Sequence, residues 1–219
     1  WRFSRAPNGR RKKSINDSRK IEIERAGRDV LNFKDVRIIG IAGQAGAGKD
    51  SLYEAILKPR GYLRWQMTLH YKTWLAATHR ASRIEIFQTK PKHVRKILQE
   101  EITHLRYEHT EYIWLDVFKE WMRSLHEIVG VNVTHVAVTD VRFLIEMRGL
   151  KDLGGKILHI EAADQQANVA PELRGHRSEI ELNSPEMPRI RDAHLINHKL
   201  SMEDYAEQGE RILNEWGWS

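Results

Sequence analysis

Cysteine is absent from the 219 residues, which excludes disulfide bracing and zinc–thiolate sites. Long hydrophobic runs are missing too: no stretch approaches the roughly 18 residues of a membrane span, and none reads as a signal peptide. Proline is scarce, and three of the six, Pro171, Pro185 and Pro188, fall in one late stretch. Internal repeats and low-complexity tracts are lacking. The body also carries almost no net charge. Of the formal +6, residues 1–20 account for +7, with eight Lys/Arg against Asp17, so residues 21–219 sum to −1. Hydrophobic and charged fractions of 41% and 30% suit a globular chain able to bury a sizeable core. We read residues 1–20, which contain Pro7-Asn8-Gly9, as a basic flexible tail. It is either a solvated extension or a contact for nucleic acid or an acidic partner. A start at Trp1 instead of Met reads as a fragment or processed product. Residues 21–219 read as one domain, and the cytoplasm is the expected compartment.

What is present centres on residues 36–52. The apolar Ile38, Ile39, Ile41 and Ala42 predict a buried strand that breaks into Gly43-Gln44-Ala45-Gly46-Ala47-Gly48-Lys49. A helical pattern follows, with Leu52, Ala55 and Ile56. Strand, glycine loop, lysine and helix start form the arrangement of a phosphate-binding P-loop. Its N–H groups converge on an anion, and Lys49 adds a mobile charge for β- and γ-phosphates. The usual pattern ends Gly-Lys-Ser/Thr. Here Asp50 takes the place of the metal-binding hydroxyl, and Ser51 comes one later.

Further along, Tyr62–Met67 predicts a short strand and residues 69–82 a helix carrying Lys72. Pro91 opens a clear helix over 92–107, whose Val94, Ile97, Leu98, Ile102 and Leu105 make a core-facing stripe. On that helix Arg95, Gln99 and Arg106 fall within about 40° of one another. They make either a ligand-binding ridge or a plain exposed face. A second apolar helix is predicted over 111–129. A strand at Val133–Thr139 then runs into Asp140-Val141-Arg142-Phe143, the loose signature of a metal-holding carboxylate after a P-loop. Helix 143–153, strand Lys156–Glu161, strand His194–Asn197 and a last helix from Ser201 to about Trp216 complete the βαβ alternation, which implies a parallel sheet. Residues 162–191 carry little periodicity and the basic Arg174-Gly175-His176-Arg177, and read as a lid.

Several of these segments together resemble the virus-type (bacteriophage-like) deoxynucleoside monophosphate kinases. They are Ile39–Ser51; Arg95-Lys96-Ile97-Leu98-Gln99 with Arg106 and Trp114; Val138–Phe143 with Glu146; Leu153–Glu161; His176-Arg177-Ser178-Glu179; and Ile196-Asn197. Gly-Lys-Asp followed by Ser lies within that family's pattern, whereas Leu144-Ile145 departs from a Pro-Asn pair often seen there. The resemblance implies an α/β fold of P-loop NTPase type. It is three layers, α/β/α, around a mostly parallel sheet of about five strands, with an acceptor-binding helical part at about 68–130 and the lid at about 162–191. It also implies transfer of the γ-phosphoryl of ATP, with Mg²⁺, to a deoxynucleoside monophosphate.

On that reading Gly43 to Ser51 cradle the ATP phosphates. Lys49, Asp140, Arg142, Arg174 and Arg177 serve the transfer, and Asp50 and Asp140 hold Mg²⁺. Arg95, Gln99, Arg106, Trp114, Arg142 and His176 meet the acceptor. Asn197 either meets the adenine or closes the turn before the last helix. The partner is a small molecule, with no membrane, nucleic acid only through the tail, and a homodimer left open. Three rivals stand: another small-molecule kinase of the phosphomevalonate or coenzyme-precursor type, a nucleic-acid-associated P-loop ATPase, and a P-loop protein that binds nucleotide without catalysis.

Overall fold

The computed structural model describes residues 31–162, 177–198 and 201–218, without the side chains of residues 178 and 179. The basic tail, Arg174 and His176 therefore lie outside the described residues. Five strands form one sheet: β1 (Arg37–Ala42), β2 (Leu63–Trp65), β3 (His135–Val141), β4 (Lys156–Ala162) and β5 (Ala193–Asn197). Their spatial order is β2-β3-β1-β4-β5, and all four pairings are parallel.

Helices cover both faces, giving the three-layer α/β/α fold. Alternation along the strands sorts the core into two clusters. Ile38, Val136, Val138 and Ile157 point to one side. There they meet α2 (Leu69–Ala77), α3 (Lys92–Glu108), α4 (Ile113–Ser124) and α5 (Leu144–Asp152). Ile39, Ile41, Ala137, Leu158 and Ile160 point to the other. They pack on α1 (Lys49–Leu52), on the π-helical turn Tyr53–Leu57 that continues it, and on α8 (Met202–Glu215). β1 is the central strand, which is why its sequence is an unbroken apolar run.

Two expectations shift. The helix expected over 69–82 stops at Ala77, where Thr78 Oγ1 returns to the Trp74 carbonyl at 2.9 Å and His79 turns left-handed at φ +56°. The stretch 162–191, expected to lack structure, contains α6 (Arg177–Leu182) and α7 (Met187–Ile190). Leu182, Met187 and Ile190 are buried in the main core, so residues 182–190 are packed body and not cover. Periodicity failed there because each helix is under two turns, and Pro185 and Pro188 sit at the joint before α7 and in its first turn.

Candidate active site

The loop leaving β1 is held open by glycine. Gly43, Gly46 and Gly48 all have positive φ, at +152°, +79° and +103°, in the region that side chains avoid. A Cβ on Gly43 would stand 2.4 Å from the Ile160 carbonyl oxygen, and one on Gly48 2.7 Å from Asn197 Nδ2. Lys49 folds back over the loop, donating to the Gly43 and Gln44 carbonyls, both at 2.6 Å. The edge strand β5 and the helix α8 prop the loop: Asn197 Nδ2 donates to the Ala47 carbonyl at 3.2 Å and Tyr205 Oη to the Gly48 carbonyl at 3.0 Å. Asn197, left open between two roles by the sequence, thus braces the loop. Tyr205 gave no motif signal. Burial pushes its hydroxyl pKa up, so it stays a donor.

Asp140 stands near the C-terminal end of β3. Its Oδ1 accepts the Met67 N–H at 2.7 Å and its Oδ2 lies 3.4 Å from Lys72 Nζ. Lys72 is only 7% exposed and also donates to Gln66 Oε1 at 2.6 Å. The helix that carries Lys72 was legible in the sequence; the partnership, across 68 residues, was not. Asp50 is exposed and paired with Arg64, whose Nε donates to Thr139 Oγ1 at 3.2 Å. Ser51, half-buried, and the loop residues Ala45 and Gln44 complete the turn. Lys90, a residue the sequence did not single out, is left-handed at φ +45°. Burial lowers its pKa. Lys72 and Arg142 lower it further, while Asp50 and Asp140 oppose them. The charges of both carboxylates and both cations therefore reach one spot.

The acceptor candidates separate. Arg95 is exposed, with Nε on the Lys90 carbonyl at 2.7 Å, and Gln99 is half-buried. Arg106 lies roughly 16 Å further along α3 at 1.5 Å per residue, so the two guanidiniums reach different points. Arg106 is 8% exposed, paired with buried Glu146, stacked 3.9 Å over the Phe143 ring and donating to the Glu111 carbonyl at 3.2 Å. Its Nε–H is buried with no acceptor among the described residues. Glu146 accepts the Arg142 and Phe143 N–H groups at 3.0 and 3.2 Å, capping the start of α5. Burial pushes its pKa up against the pull of Arg106 and those donors.

A pocket beside this pair is lined by Arg106, Tyr107, Phe143, Ile145 and Arg177. Arg177 is exposed and ion-paired with Glu181 and Glu111, contacts that raise its pKa. Trp114 is buried against Tyr71, ring centroids 6.2 Å apart. It belongs to the core cluster, as its apolar helix phase demands.

No family model matches the chain, and no curated protein matches it. Among solved structures, a dephospho-CoA kinase from Campylobacter jejuni is similar at 15% identity and TM-score 0.47, over 82% of this chain and 96% of that one. A shikimate kinase from Acinetobacter baumannii in complex with shikimate gives 12% and 0.44, over 84% and 96%. A shikimate kinase from Bacteroides thetaiotaomicron gives 14% and 0.42, over 81% and 98%. The likeness is one of fold and carries no substrate with it. Among the described residues no helix is long and apolar enough to cross a membrane.

Proposed function

We propose that the protein is an ATP-dependent kinase of the nucleoside monophosphate type, taking a deoxynucleoside monophosphate to its diphosphate. The observation that carries the reading is the loop: three glycines at positive φ, a cradle that a Cβ at Gly43 or Gly48 would fill, and Lys49 held on loop carbonyls. Those carbonyl contacts are weaker for an ammonium than a phosphate would be, so Lys49 is poised to exchange them for β- and γ-phosphate oxygens. Asp140 and Asp50 offer the hard oxygen donors that suit Mg²⁺. When bound, the ion would neutralise negative charge on the triphosphate.

The chain's own residues then do the positioning. The loop N–H groups and Lys49 hold the donor phosphates. Arg95 and Arg142 orient the anionic acceptor, with Gln99 and the pocket at Phe143 and Ile145 on its nucleoside side; Arg106, held by Glu146, walls that pocket instead of gripping the phosphate. One acceptor phosphate oxygen forms a bond to the γ-phosphorus, the β–γ bridging bond breaks, and ADP leaves with the electron pair. The attacking oxygen is already anionic, so no general base is needed. Arg177 borders the pocket where a closing cation would exclude water. Placement does the rest of the work.

A coupled ADP-release assay over all NMPs and dNMPs with ATP and Mg²⁺ tests the reading. Turnover on at least one dNMP, lost in Lys49→Ala, is expected, and deletion of residues 1–20 leaves it within about twofold. Activity on phosphomevalonate with none on any nucleotide would replace this acceptor. Hydrolysis stimulated by DNA or RNA and lost with residues 1–20 would point to the nucleic-acid-associated ATPase.

A further inference from the structure

Away from Asp140, on the other side of β1, two imidazoles and a carboxylate meet where the second half of β4 runs beside the start of β5. His159 and His194 are direct register partners across the ladder. Their rings stack at 5.3 Å between centroids and 17° between planes. Glu161, two residues beyond His159, lies on the same face because side chains alternate along a strand. Its Oε1 is 3.7 Å from His159 Nδ1 and its Oε2 is 3.1 Å from His194 Nε2. One ligand atom from each residue lies within 4.8 Å of the others. Ligands about 2.0–2.1 Å from a tetrahedral ion stand roughly 3.3 Å apart, and the two carboxylate–imidazole separations bracket that value.

His194 Nε2 is buried and makes no aligned hydrogen bond, although Glu161 Oε2 is near. His159 is 3% exposed, and its ring is fixed between the two strands. Two neighbours oppose a cation: Arg191 Nη1 sits 3.2 Å from His159 Nδ1 and occupies the lone pair that a metal would use, and the Lys49 ammonium adds its repulsion at His159. Arg191 is half-buried in the turn between α7 and β5, so its guanidinium has solvent to swing into.

We propose that His159, Glu161 and His194 form a binding site for a divalent transition metal of the zinc class, with Arg191 as the competing cation. Two imidazoles and one carboxylate suit Zn²⁺ or Co²⁺, whereas Mg²⁺ prefers a shell of oxygens. A metal here clips the edge strand β5 to β4. The clip acts three residues before Asn197, which braces the P-loop at Ala47. It stiffens the nucleotide loop without touching the phosphates.

The test uses the full chain, stripped with chelator and titrated with Co²⁺, whose tetrahedral complexes absorb strongly in the visible. We expect one equivalent to bind with an intense visible band that Zn²⁺ displaces. Glu161→Gln and His194→Ala should each weaken it by at least about tenfold, and Arg191→Gln should tighten it by about tenfold. A band of unchanged strength in both ligand variants assigns the metal to other histidines and overturns the proposal. So does the lack of any band in wild type and Arg191→Gln alike. Glu161 is partly exposed, so its variant keeps the test valid if His194→Ala does not fold. The readout is independent of any kinase activity.

Discussion

Removing the Arg106 side chain separates a structural role from a ligand-binding one. In the folded protein its guanidinium pairs with Glu146, lies flat on Phe143 and donates to the Glu111 carbonyl. Arg106→Ala strands a carboxylate that is 3% exposed and already disfavoured by burial. Breaking a buried pair from one side costs about 3–5 kcal/mol. At this chain length that lowers Tm by roughly 6–20 °C.

Glu146→Gln in the same background removes the stranded charge, and its amide oxygen still accepts the Arg142 and Phe143 N–H groups. The double variant Arg106→Ala/Glu146→Gln should therefore recover at least about half of the loss. Thermal and urea unfolding of the four proteins in the cycle give the coupling energy. A loss under about 1 kcal/mol in Arg106→Ala, or no recovery in the double variant, refutes the reasoning. Arg95 is the internal comparison: it is exposed, so Arg95→Ala should move stability by less than about 0.5 kcal/mol while raising the acceptor KM.

Three further outcomes follow from the loop and from β3. Gly48→Ala forces a side chain into φ +103° and against Asn197 and Tyr205; we expect a loss of about 1–3 kcal/mol in unfolding and loss of ATP binding by fluorescence titration. Asp140→Asn keeps an oxygen for the Met67 N–H but takes the carboxylate from buried Lys72, so unfolding stability should fall by about 1–3 kcal/mol while turnover falls by roughly 10²–10³. Tyr205→Phe removes the Oη bond to the Gly48 carbonyl and should cost about 0.5–1.5 kcal/mol, with an increase in the KM for ATP at unchanged acceptor KM.

The elements were legible wherever a local pattern encodes them. The apolar run of β1, the glycine spacing after it and the stripe on α3 each follow from backbone sterics or helical phase within a few residues. The parallel pairing and the position of Asp140 near a strand end follow from βαβ alternation almost as directly, whereas the order β2-β3-β1-β4-β5 is a tertiary outcome. α6 and α7 were not legible, since each is too short to show a period.

The site divides along the same line. Residues 43–51 and Asp140 stand out as candidates in the sequence because each lies in a short local pattern. Lys72 on Asp140, Asn197 and Tyr205 under the P-loop, and Lys90 within reach of both carboxylates are joined across tens of residues, and no local signal records those meetings. Arg95, Gln99 and Arg106 share a helix face by phase, yet phase is blind to what packs on that face. Tertiary packing alone made Arg106 a buried partner of Glu146, left Arg95 in solvent, and set His159 opposite His194. The sequence by itself determined that a glycine-rich loop follows a buried strand, because dihedral freedom and hydrophobic period are local properties. Which charges meet around that loop was decided only by the fold, because register and burial belong to elements far apart in the chain.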